Sequence, residues 1–284
     1  MRRYAARDGR CRKPRCHPSA RLATPCAAGL QHLVLSRARR RWAGFRHAAP
    51  LALPLLVNLG TPFRIALGRE PDVADAQPSF AAGLFPGPVL IESDGRAECV
   101  QVDFTPLGAY RFFGGAVPDL TARMVGLDDI LGRNGENLRA RVAEAVGWQR
   151  RFEIVEDFVH RRAVHEPSPA IAFALDTLWR RAGAVRITEL ATDIGWSRKH
   201  LTRRFHNEIG VPPKTMAQML RFHRACSLAR TDGTGGWAAV AADAGYADQA
   251  HLARDFRLLS GETPTGWAAR LDLADPRLMR DGGG

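Results

Sequence analysis

Arg198, Lys199, Thr202, Arg203 and His206 are cations or hydrogen-bond donors, and their spacing places them on the outer and flanking faces of one helix. Leu201 and Phe205, one turn apart, take the inner face, and Ser197 stands just before the helix as its capping residue. Further along, Gln249, His251, Arg254 and Arg257 surround Leu252 and Phe256 in the same way. Arginine and lysine donate to phosphate oxygens, arginine also offers a fork that matches the O6 and N7 edge of guanine, and glutamine matches adenine. The chemistry on offer is recognition of nucleic acid, with Lys199, Arg203, Gln249 and Arg254 as the expected base readers.

The elements that must carry these faces occur twice. Ala191, Asp193, Gly195 and Trp196 recur as Ala241, Asp243, Gly245 and Tyr246. After one inserted residue, His200, Leu201, Arg203, Phe205, Gly210 and Pro213 recur as His251, Leu252, Arg254, Phe256, Gly261 and Pro264. In the first copy Ile187, Leu190, Ala191 and Ile194 form the stripe of a short helix, with Thr188 as its expected N-cap; in the second, Trp237, Val240, Ala241 and Ala244 do the same. Gly195 and Gly245 supply the sharp turn into the following helix, which makes each copy a helix-turn-helix unit. Val211, Pro212 and Pro213 interrupt the chain between the copies, and Thr215 to Arg230 then reads as one helix with Met219, Phe222, Cys226 and Ala229 inward. Such a helix, about 24 Å long at 1.5 Å per residue, can hold two reading helices about one turn of B-DNA apart, about 34 Å.

The segment from about Pro169 to Leu273 resembles the DNA-binding domain of the AraC/XylS family of bacterial transcription regulators. The resemblance rests on the string Glu189 to Gly195, on Ser197 to Phe205, on Arg221 with Ala225, on Gly245 to Arg257, and on Gly261 to Pro264. It implies transcriptional control, with double-stranded DNA as partner and RNA polymerase as a candidate second one. The upstream half resembles a sensory-type domain that precedes the DNA-binding module in one AraC-like subgroup, through Val102 to Pro106 with Phe112 and Gly114, Leu127 to Gly132, and Leu138 to Ala145 with Arg151 and Phe152. That implies a small-molecule effector or dimerisation, so monomer and homodimer both stay open.

Composition sets bounds on these readings. The formal net charge is +12, and residues 1–50 account for all of it, because they hold a single acid, Asp8, against their arginines and Lys13. Net charge therefore says nothing about the helix-turn-helix region. Residues 1–47 read as a basic, disordered tail, dispensable for specific recognition but able to contact phosphates in a salt-sensitive way. The five cysteines are too few and scattered for a disulfide framework, and they suit a reducing cytoplasm. No apolar run reaches the ~18 residues of a membrane span, and no uninterrupted secretory h-region opens the chain. Cys11, Cys16, His17 and Cys26 lack the tight spacing of a zinc knuckle, so no metal site is assigned. A metal- or alkylation-responsive repair or sensor protein fused to an AraC-like module is the alternative that those cysteines leave open.

The remaining segments give an α+β architecture. Leu55–Leu59, Phe63–Leu67, Pro88–Glu92 and Cys99–Phe104 are short strands of a small sheet or partial barrel spanning 48–125. Pro106 to Gly115 reads as a loop leading into a short helix over Ala109–Phe113. Linking or dimerisation helices follow over 126–164, marked by Leu138, Val142, Ala145 and Val146 and then by Phe152, Val155, Phe158 and Val159. The all-α DNA-binding domain, two units joined by a long helix, spans 165–273, with a disordered end over 274–284. Asp128 and Asp129 read as a helix N-terminus rather than as paired catalytic acids. With no P-loop, dinucleotide fingerprint or His-Glu-x-x-His string, no catalytic residue and no cofactor is assigned.

Overall fold

The computed structural model describes residues 30–37, 41–231 and 236–273. Among the described residues nine short strands precede the helical half: β1 (Leu30–Arg37), β2 (Arg41–Ala48), β3 (Leu53–Asn58), β4 (Phe63–Leu67), β5 (Ala76–Gln77), β6 (Phe80–Ala82), β7 (Pro88–Asp94), β8 (Glu98–Phe104) and β9 (Met124–Gly126). They form two antiparallel sheets, one ordered β1-β8-β3-β6-β9 and the other β2-β7-β4-β5. Alternation along the strands decides what each face meets. Leu56 and Cys99 turn toward the second sheet, where they pack with Phe63 and Ile65. Their neighbours Leu55, Val57, Val100, Val102 and Phe104 turn the other way, into a core shared with helices. The first sheet is thus covered on both sides, which explains the unbroken apolar run Leu55-Leu56-Val57.

Those helices are α1 (Pro106–Phe113), α2 (Val117–Leu120), α3 (Leu127–Leu131), α4 (Arg133–Glu144) and α5 (Trp148–Arg162). Thr105 caps α1 by accepting the Gly108 N–H at 2.8 Å, so the helix begins at Pro106, and the loop expected before Ala109 is absent. Proline is favourable at this first position because its missing N–H has no partner to lose. Phe104, Phe112 and Phe113 pack with ring centroids 4.7–5.7 Å apart. Helices α4 and α5 lay Leu138, Val142, Phe152 and Val155 on the same core. They belong to the N-terminal domain's own interior rather than serving only as a link. Asp128 and Asp129 lie in the first turn of α3.

The reading of residues 1–47 as one disordered tail needs correction. β1 pairs with β8 over Leu30–Arg37, and β2 pairs with β7 over Arg41–Ala48. A high density of arginine hid two strands, because a run of like charge reads as a solvated segment, whereas these strands are made by backbone pairing to distant neighbours. Deleting the chain up to His47 would remove a strand from each sheet, so it would not test a passive tail. Cys11, Cys16, His17 and Cys26 lie outside the described residues, as does 274–284.

The second half comprises α6 (Pro169–Arg180), α7 (Ile187–Ile194), α8 (Arg198–Ile209), α9 (Pro213–Thr231), α10 (Gly236–Asp243), α11 (Gln249–Ser260) and α12 (Pro264–Leu273). The sequence repeat is a structural repeat: α7 and α8 correspond to α10 and α11, and Pro213 and Pro264 each open the helix that follows. With 19 residues, α9 spans about 28 Å. It packs on α6, α8, α10 and α11, its inward face carrying Met216, Met219, Leu220 and Phe222. Among the described residues, no helix is long and apolar enough to cross a membrane.

Candidate nucleic-acid interface

Each unit is built by local rules that its sequence satisfies. α7 ends at Gly195, which is left-handed at φ +76°, and the Gly195 and Trp196 amides return to the Thr192 and Ala191 carbonyls at 2.9 Å each. This is the closure expected where a glycine stops a helix. Ser197 then caps α8, accepting the His200 N–H at 3.2 Å. In the second unit Gly245 has φ +78°, the Tyr246 amide returns to Ala241, and Asp248 caps α11 by accepting the His251 N–H at 2.6 Å. Even the turn packing repeats: Trp196 meets His200 edge to face at 4.5 Å, and Tyr246 meets His251 at 5.1 Å. Thr188 does not cap α7. The cap position is Arg186, and Thr188 lies inside the helix, where its carbonyl accepts the Thr192 hydroxyl. The apolar stripe beginning at Ile187 fixed the helix start two residues earlier than a capping threonine would.

Leu201, Phe205, Leu252 and Phe256 are fully buried, so both second helices face inward along the expected stripe. On the other side Arg198, Lys199, Thr202, Arg203 and His206 line a shallow groove of about 690 Å³ together with Pro212. Arg198, Lys199 and Arg203 are exposed, and Thr202 and His206 are half-buried. On α11, Gln249, Arg254 and Arg257 are exposed, and His251 is half-buried against Tyr246. Among the described residues no ion pair engages Arg198, Lys199, Arg203, Arg254 or Arg257, in contrast to Arg204, whose guanidinium lies 2.9 Å from Glu208. Five cations on two equivalent faces therefore keep their donors available for an external anion.

Two buried acids that the sequence alone did not single out hold these helices in place. Glu208, 1% exposed, accepts the Ser168 N–H at 2.8 Å and pairs with Arg204, which ties the end of α8 to the start of α6. Asp255, 4% exposed, accepts from Gln218 of α9 at 2.8 Å. Nearby, Arg221 donates to the Gly183 carbonyl at 2.9 Å and lies over the Tyr246 ring at 5.7 Å. Burial pushes the Tyr246 phenol well above its ordinary range, and the neighbouring Asp255 carboxylate adds to the effect. The phenol thus stays neutral, and the second turn stays packed. Neither acid lies on the outer face; only their place in the folded helices distinguishes them from solvated carboxylates.

With this geometry in view, comparison with known proteins identifies the class. Residues 190–270 match a family described as a helix-turn-helix domain. This stretch, which takes in α8 to α11 and most of α7 and α12, is a helix-turn-helix domain. Among solved structures it is similar to ToxT from Vibrio cholerae, at 10% identity and a TM-score of 0.43, over 84% of this chain and 97% of that one. ToxT from strain SCE256 bound to an unsaturated fatty acid gives 9% identity and a TM-score of 0.39, over 81% and 91%. The DNA-binding domain of AdpA, a global transcriptional factor in complex with a target DNA, gives 25% identity and a TM-score of 0.32, over 40% and 95%. No curated protein matches the chain.

Proposed function

We propose that the protein controls transcription by setting α8 and α11 into successive major grooves on one side of a DNA duplex, so that a single chain reads both halves of its site. The observation that carries this reading is the repetition of one exposed cationic face on two equivalent capped helices joined through α9. In this reading Lys199, Arg203, Gln249 and Arg254 contact base edges. Ser197, Arg198, Thr202, His206, His251 and Arg257 position the helices on phosphates and sugars. RNA polymerase would be the second partner of a chain seated beside a promoter. Selection of bound fragments from the organism's own DNA with the purified full chain tests the proposal. The expected product is a site of about 17 to 20 base pairs with two protected major-groove segments about one helical turn apart. Fragments sharing a single short element would show that only one unit reads.

A small-molecule effector belongs to the same reading, and a cavity supports it. Between the two sheets lies a partly closed space of about 190 Å³ whose walls are mostly apolar, including Leu56, Phe80 and Ile91, with His47, Gln101, Asp103 and Arg123 as its polar groups. Few polar groups in an apolar hollow suit a small, mainly apolar molecule with one hydrogen-bonding end. Operator affinity measured against a panel of such molecules checks this. A change produced equally in wild type and in an Ala82→Trp variant, designed to obstruct the space that Ala82 lines, would place the effector elsewhere.

A further inference from the structure

The N-terminal domain touches both reading helices, and it does so at equivalent points. Gly210 and Gly261 occupy the same position in the two repeats, and each ends its helix in a left-handed conformation, at φ +93° and +73°. At Gly210 the neighbour is α2: the Thr121 hydroxyl donates to the Gly210 carbonyl at 2.7 Å, and an added Cβ would lie 2.8 Å from that hydroxyl and 3.4 Å from Val117. At Gly261 the neighbours are β2 and β7: an added Cβ would lie 2.5 Å from the Arg46 guanidinium and 3.3 Å from Pro88. Arg46 also reaches the Ser260 carbonyl at 3.5 Å. Between these grips the strut itself is held, since His223 of α9 lies with Nε2 2.8 Å from the Ala49 carbonyl. A carbonyl can only accept, so that ring nitrogen carries the proton.

The backbone at these contacts is unusual. Among the described residues three non-glycine positions have positive φ: Ala49 at 31°, Ala122 at 53° and Ala182 at 46°. Ala49 presents its carbonyl to the strut, and Ala122 follows Thr121. Ala182 precedes Gly183, whose backbone is held against α9 through Arg221. Strained conformations persist only where surrounding packing over-determines them. Here Ala49 and Ala122 sit where the N-terminal domain meets the helical half, and Ala182 where the turn from α6 to α7 is fixed against α9.

We infer that the N-terminal domain acts as a spacing bar across the two helix-turn-helix units, with Thr121 and Arg46 as positioning residues that fix the distance and relative orientation of α8 and α11. The inference rests on the reading that both helices contact DNA. Two units sharing only α9 can rock about that helix. A third body gripping the far end of each reading helix closes the frame and removes the rotation. The consequence is rigidity toward the site: a chain with a fixed span recognises half-sites at one separation, whereas a loosely linked pair tolerates several.

The test measures affinity of the full chain for its selected site and for versions with one, two or three base pairs inserted between the contacted segments. Wild type should lose about tenfold or more on the first insertion, because each pair both lengthens and rotates the second half-site. A Thr121→Val, Arg46→Ala double variant should bind the parent site within about threefold of wild type yet lose less than about threefold on the same insertion. Arg46→Gln alone, which frees only the end of α11, should likewise bind the parent site within about threefold of wild type and lose less than wild type on the first insertion. That variant serves if the double one fails to fold. Spacing profiles in the variants that coincide with wild type would overturn the inference, since α9 alone would then set the span. A wild-type footprint over a single groove segment would instead overturn the two-unit reading on which it depends.

Discussion

Gly195 and Gly183 share nearly the same backbone conformation, φ +76° and +77°, and should respond very differently to alanine. At Gly195 an added Cβ meets nothing within 4 Å, so the cost is the left-handed conformation alone, about 1–2 kcal/mol. At Gly183 the same atom would run into the Ala217 carbonyl and Cα on α9, backbone that cannot swing aside. Overpacking of that kind adds about 1–3 kcal/mol, for a total of about 2–5 kcal/mol. Gly183 is also the acceptor for Arg221, so displacing it releases a half-buried guanidinium. In urea titrations followed by tryptophan fluorescence, Gly195→Ala should lower the midpoint modestly, and Gly183→Ala should lower it at least about twice as far at similar slope. Gly195→Val will cost more than alanine because a β-branched side chain tolerates positive φ poorly, but not through crowding of a neighbouring helix. At Gly245, where a Cβ would stand 3.2 Å from that of Ala184, crowding does contribute. Equal losses at Gly195 and Gly183 would refute the reasoning, since conformation rather than contact would then decide both.

Arg203→Ala should cost about 1–3 kcal/mol of operator affinity and relax preference at one or two base positions, whereas Arg204→Ala should act mainly on stability by leaving Glu208 buried without its partner; competition binding with single-base operator variants separates the two. Ser197→Ala and Asp248→Ala should each lower stability by about 1 kcal/mol through loss of a helix cap, read from the same urea titrations. The Cys226 thiol, pushed up to about 12 by burial, should resist thiol reagents in the native protein at pH 8; because the unfolded thiol titrates near 9.0, folding stability should fall as pH rises from about 9 toward 12, and Cys226→Ser should flatten that limb. Burial is also the main cause holding the His223 imidazole below its ordinary range of about 6.5, so its contribution to stability should be present above that pH and lost as pH falls below it, a loss that His223→Gln should reduce.

The two units were legible in the sequence because everything that builds them is local. A capping Ser or Asp, a glycine free to adopt positive φ, and an apolar pair one turn apart each act within a few residues, so spacing alone locates both turns and both outer faces. The same holds for β3, β4, β7 and β8, whose apolar runs report burial directly, while the pattern around Thr188 misled because the stripe starting at Ile187 outweighed one candidate cap. The strands β1 and β2 were hidden, since their arginines resemble those of an unstructured tail and their pairing partners, β8 and β7, lie 40 to 74 residues away. Tertiary structure likewise decided the roles of Glu208, Asp255, Thr121 and Arg46. Nothing in the local sequence distinguishes a buried acid from a solvated one, or a threonine that grips the end of a distant helix from one at a surface turn, because each role depends on an atom supplied by another part of the chain. The repeat marked Gly210 and Gly261 as equivalent, but only the folded chain shows that the N-terminal domain bears on both, since close approach between distant segments leaves no periodicity to read.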